Sequence, residues 1–195
     1  MLDRLSFKAK IGLLVVAAVL AVLVMSITAA LQSRKQITEA RQQQLVTAVQ
    51  AAHGVVTGFQ AKAAKGEMSE ADAKKAAAEA VGLARYGGPE GKTEYFYIWT
   101  LDGVGVMHPI RTEWNGQNMI GKVKDGAGVD IIVALMDGMK NSRDGRAFVP
   151  TNFPRPGSTV AVPKLQYIIK VDGWNWMVGS GLYTDDLDQQ IRQRF

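Results

Sequence analysis

The stretch Tyr95–Pro109, YFYIWTLDGVGVMHP, decides how this chain is read. In an extended strand, alternate side chains point to opposite faces, so Tyr95, Tyr97 and Trp99 share one face and Phe96, Ile98 and Thr100 the other. Neither face is polar throughout, which predicts a strand covered on both sides. Asp102-Gly103 is a hairpin pair, because its backbone accepts the positive φ that a tight turn demands. A second short strand then ends on His108-Pro109, where the residue before a proline is held extended.

Toward the N-terminus the period changes to that of a helix. Leu45, Val49, Ala52, Val56, Phe59 and Ala63 step by four and three, forming one apolar seam along a helix from Gln32 to Lys65. Such a seam packs against a partner helix or against a domain face. His53 lies one position off it and is expected to be a half-exposed helix residue. Gly66 ends this helix, and Ser69-x-x-Asp72 opens another in the manner of a capping box. Tyr86-Gly87-Gly88-Pro89 stops that second helix, since glycine permits left-handed backbone and proline cannot continue a helix.

Toward the C-terminus, Val129, Ile132, Val133, Met136 and Met139 return to helical spacing between Gly128 and Asn141. Arg146–Phe153, Lys164–Val171 and Trp174–Tyr183 follow as strands, with Asp172-Gly173 the turn between the last two. Trp174 and Trp176 are assigned to the core, and Thr184–Phe195, with its Asp185-Asp186 start, to the opening of a helix. The expected fold class is therefore α+β: a long N-terminal helix and a PAS-like five-stranded antiparallel sheet with flanking helices.

Ile11–Leu31 carries no charge. About 20 such residues are needed to cross a bilayer as a helix, so a transmembrane segment is expected at 11–31. Arg4, Lys8 and Lys10 favour a cytoplasmic tail over residues 1–10 and place residues 32–195 outside. Thr28-Ala29-Ala30 is a poor cleavage site, and the run exceeds a signal peptide's apolar region of about 7–15 residues. The segment is thus expected to be an uncleaved anchor.

Composition narrows the function classes. The net charge is +5 over 195 residues, but the basic residues are scattered and often sit beside acids, so no stripe tracks a phosphate backbone and no nucleic-acid partner is expected. The absence of cysteine excludes disulfides, thiolate zinc sites and a Cys nucleophile. Two distant histidines leave few routes to a catalytic triad or a three-histidine metal site. Asp125-Gly126 resembles a turn rather than a calcium loop. No enzyme activity, cofactor or metal is expected.

Four ordered blocks are more specific than any one of these signals: YFYIWTLDGVGVMHP, NGQNMIGKVKDGAG, FPRPGSTVAVPKLQYI and DGWNWMVGSGLY. Together they resemble the single-Cache sensory domain of bacterial methyl-accepting chemotaxis receptors and related sensor kinases, over roughly Gln32 to Phe195. The resemblance implies a PAS-like extracytoplasmic domain carried on the inner membrane, working as a homodimer and binding a small ligand, often a short organic acid. Here the dimer would run through the long N-terminal helix. By position, His108-Pro109 matches the family's His-Pro, Lys164 and Tyr167 match its Lys-x-x-Tyr, and Trp174–Tyr183 matches its closing strand. Thr151 stands where the family often carries an aromatic residue, which leaves ligand identity open. The sequence ends at Phe195, where a chemoreceptor would enter its second membrane helix. The alternative is a single-span protein with a structural or partner-docking role.

A pocket for a small anion needs a fixed cation, a few donors and an apolar wall. The candidate residues are Lys164 for charge, Tyr97 and Tyr167 for hydroxyl donors, His108 for a ring N–H, and Trp99 and Trp114 for the wall. Arg111 and Arg155 are left aside as loop arginines.

Overall fold

The computed structural model describes residues 6–88 and 90–185, and the chain forms two compact units, 1–40 and 41–195. Helix α1, Phe7–Ala64, runs through the expected span and the expected long helix without a break. In the first unit its apolar side chains are exposed, and among the described helices α1 is long and apolar enough to cross a membrane.

In the second unit, Leu45, Val49, Ala52 and Val56 of the predicted seam are buried, and Phe59 and Ala63 pack at its edge. The seam meets the sheet of its own chain. His53 is half-buried beside it and bonds the backbone oxygen of Lys170 at 3.0 Å. Helix α2, Glu70–Leu83, starts as predicted: the Ser69 hydroxyl accepts from the Asp72 backbone N–H at 3.0 Å.

Among the described residues the sheet is antiparallel and has six strands: β1 (Arg85–Tyr86), β2 (Glu94–Thr100), β3 (Gly105–Met107), β4 (Arg146–Pro154), β5 (Ala161–Val171) and β6 (Trp176–Tyr183). Their order is β1-β2-β6-β5-β4, with β3 also on β2. All five predicted strands are present. The sixth, β1, is only two residues long and shows no periodicity of its own; it forms because Arg85 and Tyr86 pair with Tyr95 and Glu94. Trp174 falls in the turn before β6 rather than in the strand, because Asn175 adopts a left-handed φ of 57° there. Both Trp174 and Trp176 are core residues, as expected. The α+β class stands. The proposed helix start at Thr184–Phe195 lies almost entirely outside the described residues.

The two faces of the sheet have different covers. Phe96, Ile98, Tyr167, Ile169, Val178 and Leu182 pack under α1 and α2. Tyr95, Tyr97, Trp99, Val149, Ile168 and Met177 pack under α3, Ile131–Asn141. Asp130 caps α3 by accepting from Ile132 and Val133, and its second oxygen accepts from Gly121, which pins the preceding loop. Asp125 closes its turn on Ala127 and Val129 and accepts from Asn152 of β4. Helix and loop are thereby fixed over the second face, which holds the candidate site.

Candidate ligand-binding site

Two glycines of β6 make the site possible. Gly181 pairs with Gln166, and Gly179 pairs with both Ile168 and Tyr97. A methyl group at 181 would collide with the side chains of Lys164 and Gln166, and one at 179 with Tyr97 and Ile168. Without them, side chains from β5 and β2 lean across β6 and meet above it.

Lys164 crosses in this way and is only 2% exposed. Its ammonium donates to the hydroxyls of Tyr95 and Tyr183, each at 3.3 Å, and lies over both rings at 4.5 Å. Burial pulls its pKa below the ordinary lysine value, Glu94 opposes that shift, and Arg155 adds to it. Burial also pushes Tyr95 up to about 12, so it stays a neutral phenol. Its bonded partners, the two phenols, are neutral, so an incoming anion can add a charge-assisted hydrogen bond to the ammonium.

Along the floor the hydrogen bonds run in one direction. Tyr97 donates to the Gln166 side-chain oxygen at 2.9 Å, Gln166 Nε2 donates to Thr151 at 3.2 Å, and Thr151 donates to the Lys164 carbonyl at 3.0 Å. Tyr97 was expected to offer a donor to an anion; its single proton is engaged by Gln166 instead, and its fully buried hydroxyl is held well above its ordinary pKa by desolvation.

His108 faces Tyr95, Tyr97, Trp99 and Trp114 with ring centroids 5.0–6.5 Å away. Its Nδ1 accepts from the backbone N–H groups of Ile110 and Arg111 at 3.3 and 3.0 Å, so in the neutral ring the proton sits on Nε2. Burial, with the positive charges of Lys164 and Arg111 adding, lowers its pKa to about 3. The ring is a neutral donor at physiological pH. Trp114, on a 3-10 turn at Thr112–Trp114, leans on Trp99 and Phe153 and closes one side.

Five of the six predicted residues, Tyr97, Trp99, His108, Trp114 and Lys164, line one cavity together with Tyr95, Phe153 and Gln166. Its free interior is about 20 Å³, where a single water needs about 10–15 Å³. Tyr167 is the exception. It lies three residues from Lys164, an odd number, so strand alternation turns it to the α1–α2 face, where its ring meets that of Phe148 at a tilt, with centroids 4.6 Å apart. The same alternation points to Gln166, two residues from Lys164, and to Tyr95, two from Tyr97; that signal was in the sequence. Arg111 and Arg155 reach the outer mouth: Arg111 lies over Trp114, and Arg155 pairs with Asp185 at 2.6 Å and covers the Tyr183 ring.

Known proteins share this architecture. The chain is 26% identical to the methyl-accepting chemotaxis protein McpP of Pseudomonas putida, over 99% of this chain but only 34% of that one. It therefore spans about a third of that relative's length. A solved periplasmic sensor domain of a chemotaxis protein superposes with a TM-score of 0.67 at 39% identity, covering 75% of this chain and 96% of that one. A Cache chemosensory domain, solved for the structural basis of carboxylic acid recognition, gives 0.69 at 28% identity, covering 77% and 98%. Residues 37–194 match the family described as Single Cache domain 2, and the chain belongs to that family of sensor domains.

Proposed function

We propose that this chain is a membrane-anchored extracytoplasmic sensor whose pocket binds a short monocarboxylate and passes that event across the membrane. The observation that carries the proposal is Lys164: a buried ammonium bonded to two phenols beside a cavity of about 20 Å³. The carboxylate accepts from Lys164 and from the Nε2–H of His108, and Trp99, Trp114 and Phe153 exclude water from it. An interior with room for little more than one water must widen to admit a carboxylate, which favours acids of two or three carbons. Residues 11–31 hold the domain in a bacterial inner membrane, residues 1–10 stay in the cytoplasm, and residues 32–195 lie outside. Homodimerisation uses the side of α1 away from the sheet, where Val55 is 43% exposed.

The signal leaves through Tyr183. Its hydroxyl accepts from Lys164 and donates to the Pro154 carbonyl, and its ring lies under Arg155, which holds Asp185. A carboxylate that draws the ammonium away from Tyr183 loosens this contact at the end of β6, and a displacement of about 1–2 Å is typical of such switches. The test is calorimetry of the full chain in detergent against acids of two to four carbons. Saturable binding by the parent and its loss in Lys164→Met, with the melting curve retained, are expected. Failure of every acid to bind at millimolar concentration would remove the carboxylate assignment.

A further inference from the structure

The floor of the pocket contains a donor that no group among the described residues accepts from. Gln166 is 4% exposed and lines the cavity. Its side-chain oxygen accepts from Tyr97, and one amide hydrogen goes to Thr151. A primary amide carries two hydrogens, and the second has no acceptor among the described residues. The amide cannot turn over to dispose of it. Tyr97 donates to its oxygen, and Thr151 is held as an acceptor because its own proton goes to the Lys164 carbonyl. The spare N–H is therefore fixed in place. It belongs to the residue two positions from Lys164 on the same face of β5, and both side chains lie over Gly181.

We infer that Gln166 selects among short acids, favouring those with an oxygen on the carbon next to the carboxylate: 2-oxo and 2-hydroxy monocarboxylates over plain aliphatic ones. This rests on the monocarboxylate reading above and adds the second point of recognition. With the carboxylate on Lys164, the adjacent carbon lies toward Gln166, and a carbonyl or hydroxyl oxygen there accepts the free hydrogen. A methylene at that position leaves a buried donor unsatisfied. A site built to hydrogen-bond a substrate atom rejects the analogue that lacks it more strongly than an apolar pocket rejects a change in size. Thr151 is part of the device, because its small hydroxyl side chain both holds the amide and leaves room beside it.

The experiment is calorimetry of the full chain in detergent with pyruvate, L-lactate and propionate, acids of equal carbon number. The parent is expected to bind pyruvate and lactate about ten-fold or more tightly than propionate. Gln166→Met, which keeps the length of the side chain and removes the donor, is expected to weaken pyruvate about ten-fold and leave propionate within about three-fold. If that variant does not melt cooperatively, Gln166→Asn withdraws the amide by one methylene and is expected to narrow the preference in the same direction. A parent that binds propionate as tightly as pyruvate overturns this inference and leaves the monocarboxylate pocket standing. So does a variant that loses both acids equally. A parent that binds none of the three removes the pocket assignment and this inference together.

Discussion

The two faces of one sheet do opposite things in this domain. Under α1 and α2, Phe96, Ile98, Ile169, Val178 and Leu182 form a hydrocarbon layer closed by Leu45, Val49 and Val56. Under α3, the alternate residues of the same strands include Tyr95, Tyr97, Lys164 and Gln166 around a small cavity. Adjacent residues of β5 thus face the hydrocarbon layer and the cavity in turn. A strand with both faces buried can hold a polar chamber because its other face supplies the apolar burial that stability needs.

The comparison breaks most visibly if the first face matters to binding. Ile98 is 0% exposed on that face. Ile98→Ala is expected to lower unfolding stability by about 3–4 kcal/mol in urea denaturation while changing acid affinity by less than about three-fold. A large loss of affinity in folded protein would show that the faces are coupled.

The second prediction concerns pH and belongs to the chamber alone. His108 titrates at about 3 in the folded chain against an ordinary 6.5, because burial and nearby cations disfavour its charged form. Between those values the unfolded state holds a proton that the folded state lacks, so stability rises with pH. The contribution is complete above about 6.5 and is lost as pH falls toward about 3. Lowering pH from 7 to 4.5 is expected to remove about 2–3 kcal/mol from the parent beyond the loss seen in His108→Asn. Equal slopes for the two would mean that the ring titrates normally.

A smaller effect tests the gap between the strands. Gly181→Ala places a methyl against Lys164 and Gln166, and an overpacked site of this kind costs about 1–2 kcal/mol of stability. Acid affinity should fall with it, since both polar groups must shift. The smallest effect is expected for Tyr167→Phe, on the core face: less than about 1 kcal/mol in stability and unchanged affinity. Loss of binding there would return Tyr167 to the pocket.

Much of this was legible in the sequence because it depends on local rules. Ser69 capped α2 as its spacing predicted, Asp102-Gly103 and Asp172-Gly173 turned the chain, and alternation in Tyr95–Thr100 marked a strand buried on both faces. The two-residue β1 was not legible, since pairing with a distant strand creates it. Tyr167 lies away from the cavity for a different reason: the Lys-x-x-Tyr spacing is odd, and within one strand an odd spacing sends the two side chains to opposite faces. Gln166 and Tyr95 obey that rule and were missed because glutamine and a third tyrosine carry no chemical signal until a neighbouring strand gives them partners.

The sequence by itself determined the helices up to Asn141, the turns, the α+β class and which residues share a strand face, because each follows from interactions within a few residues. Only the tertiary structure decided that Gly179 and Gly181 open β6 to side chains from both neighbours, that Tyr97 gives its proton to Gln166, and that Nδ1 of His108 is held by backbone N–H groups. These depend on register between strands far apart in the chain, and a donor acquires a direction only when its acceptor is in place.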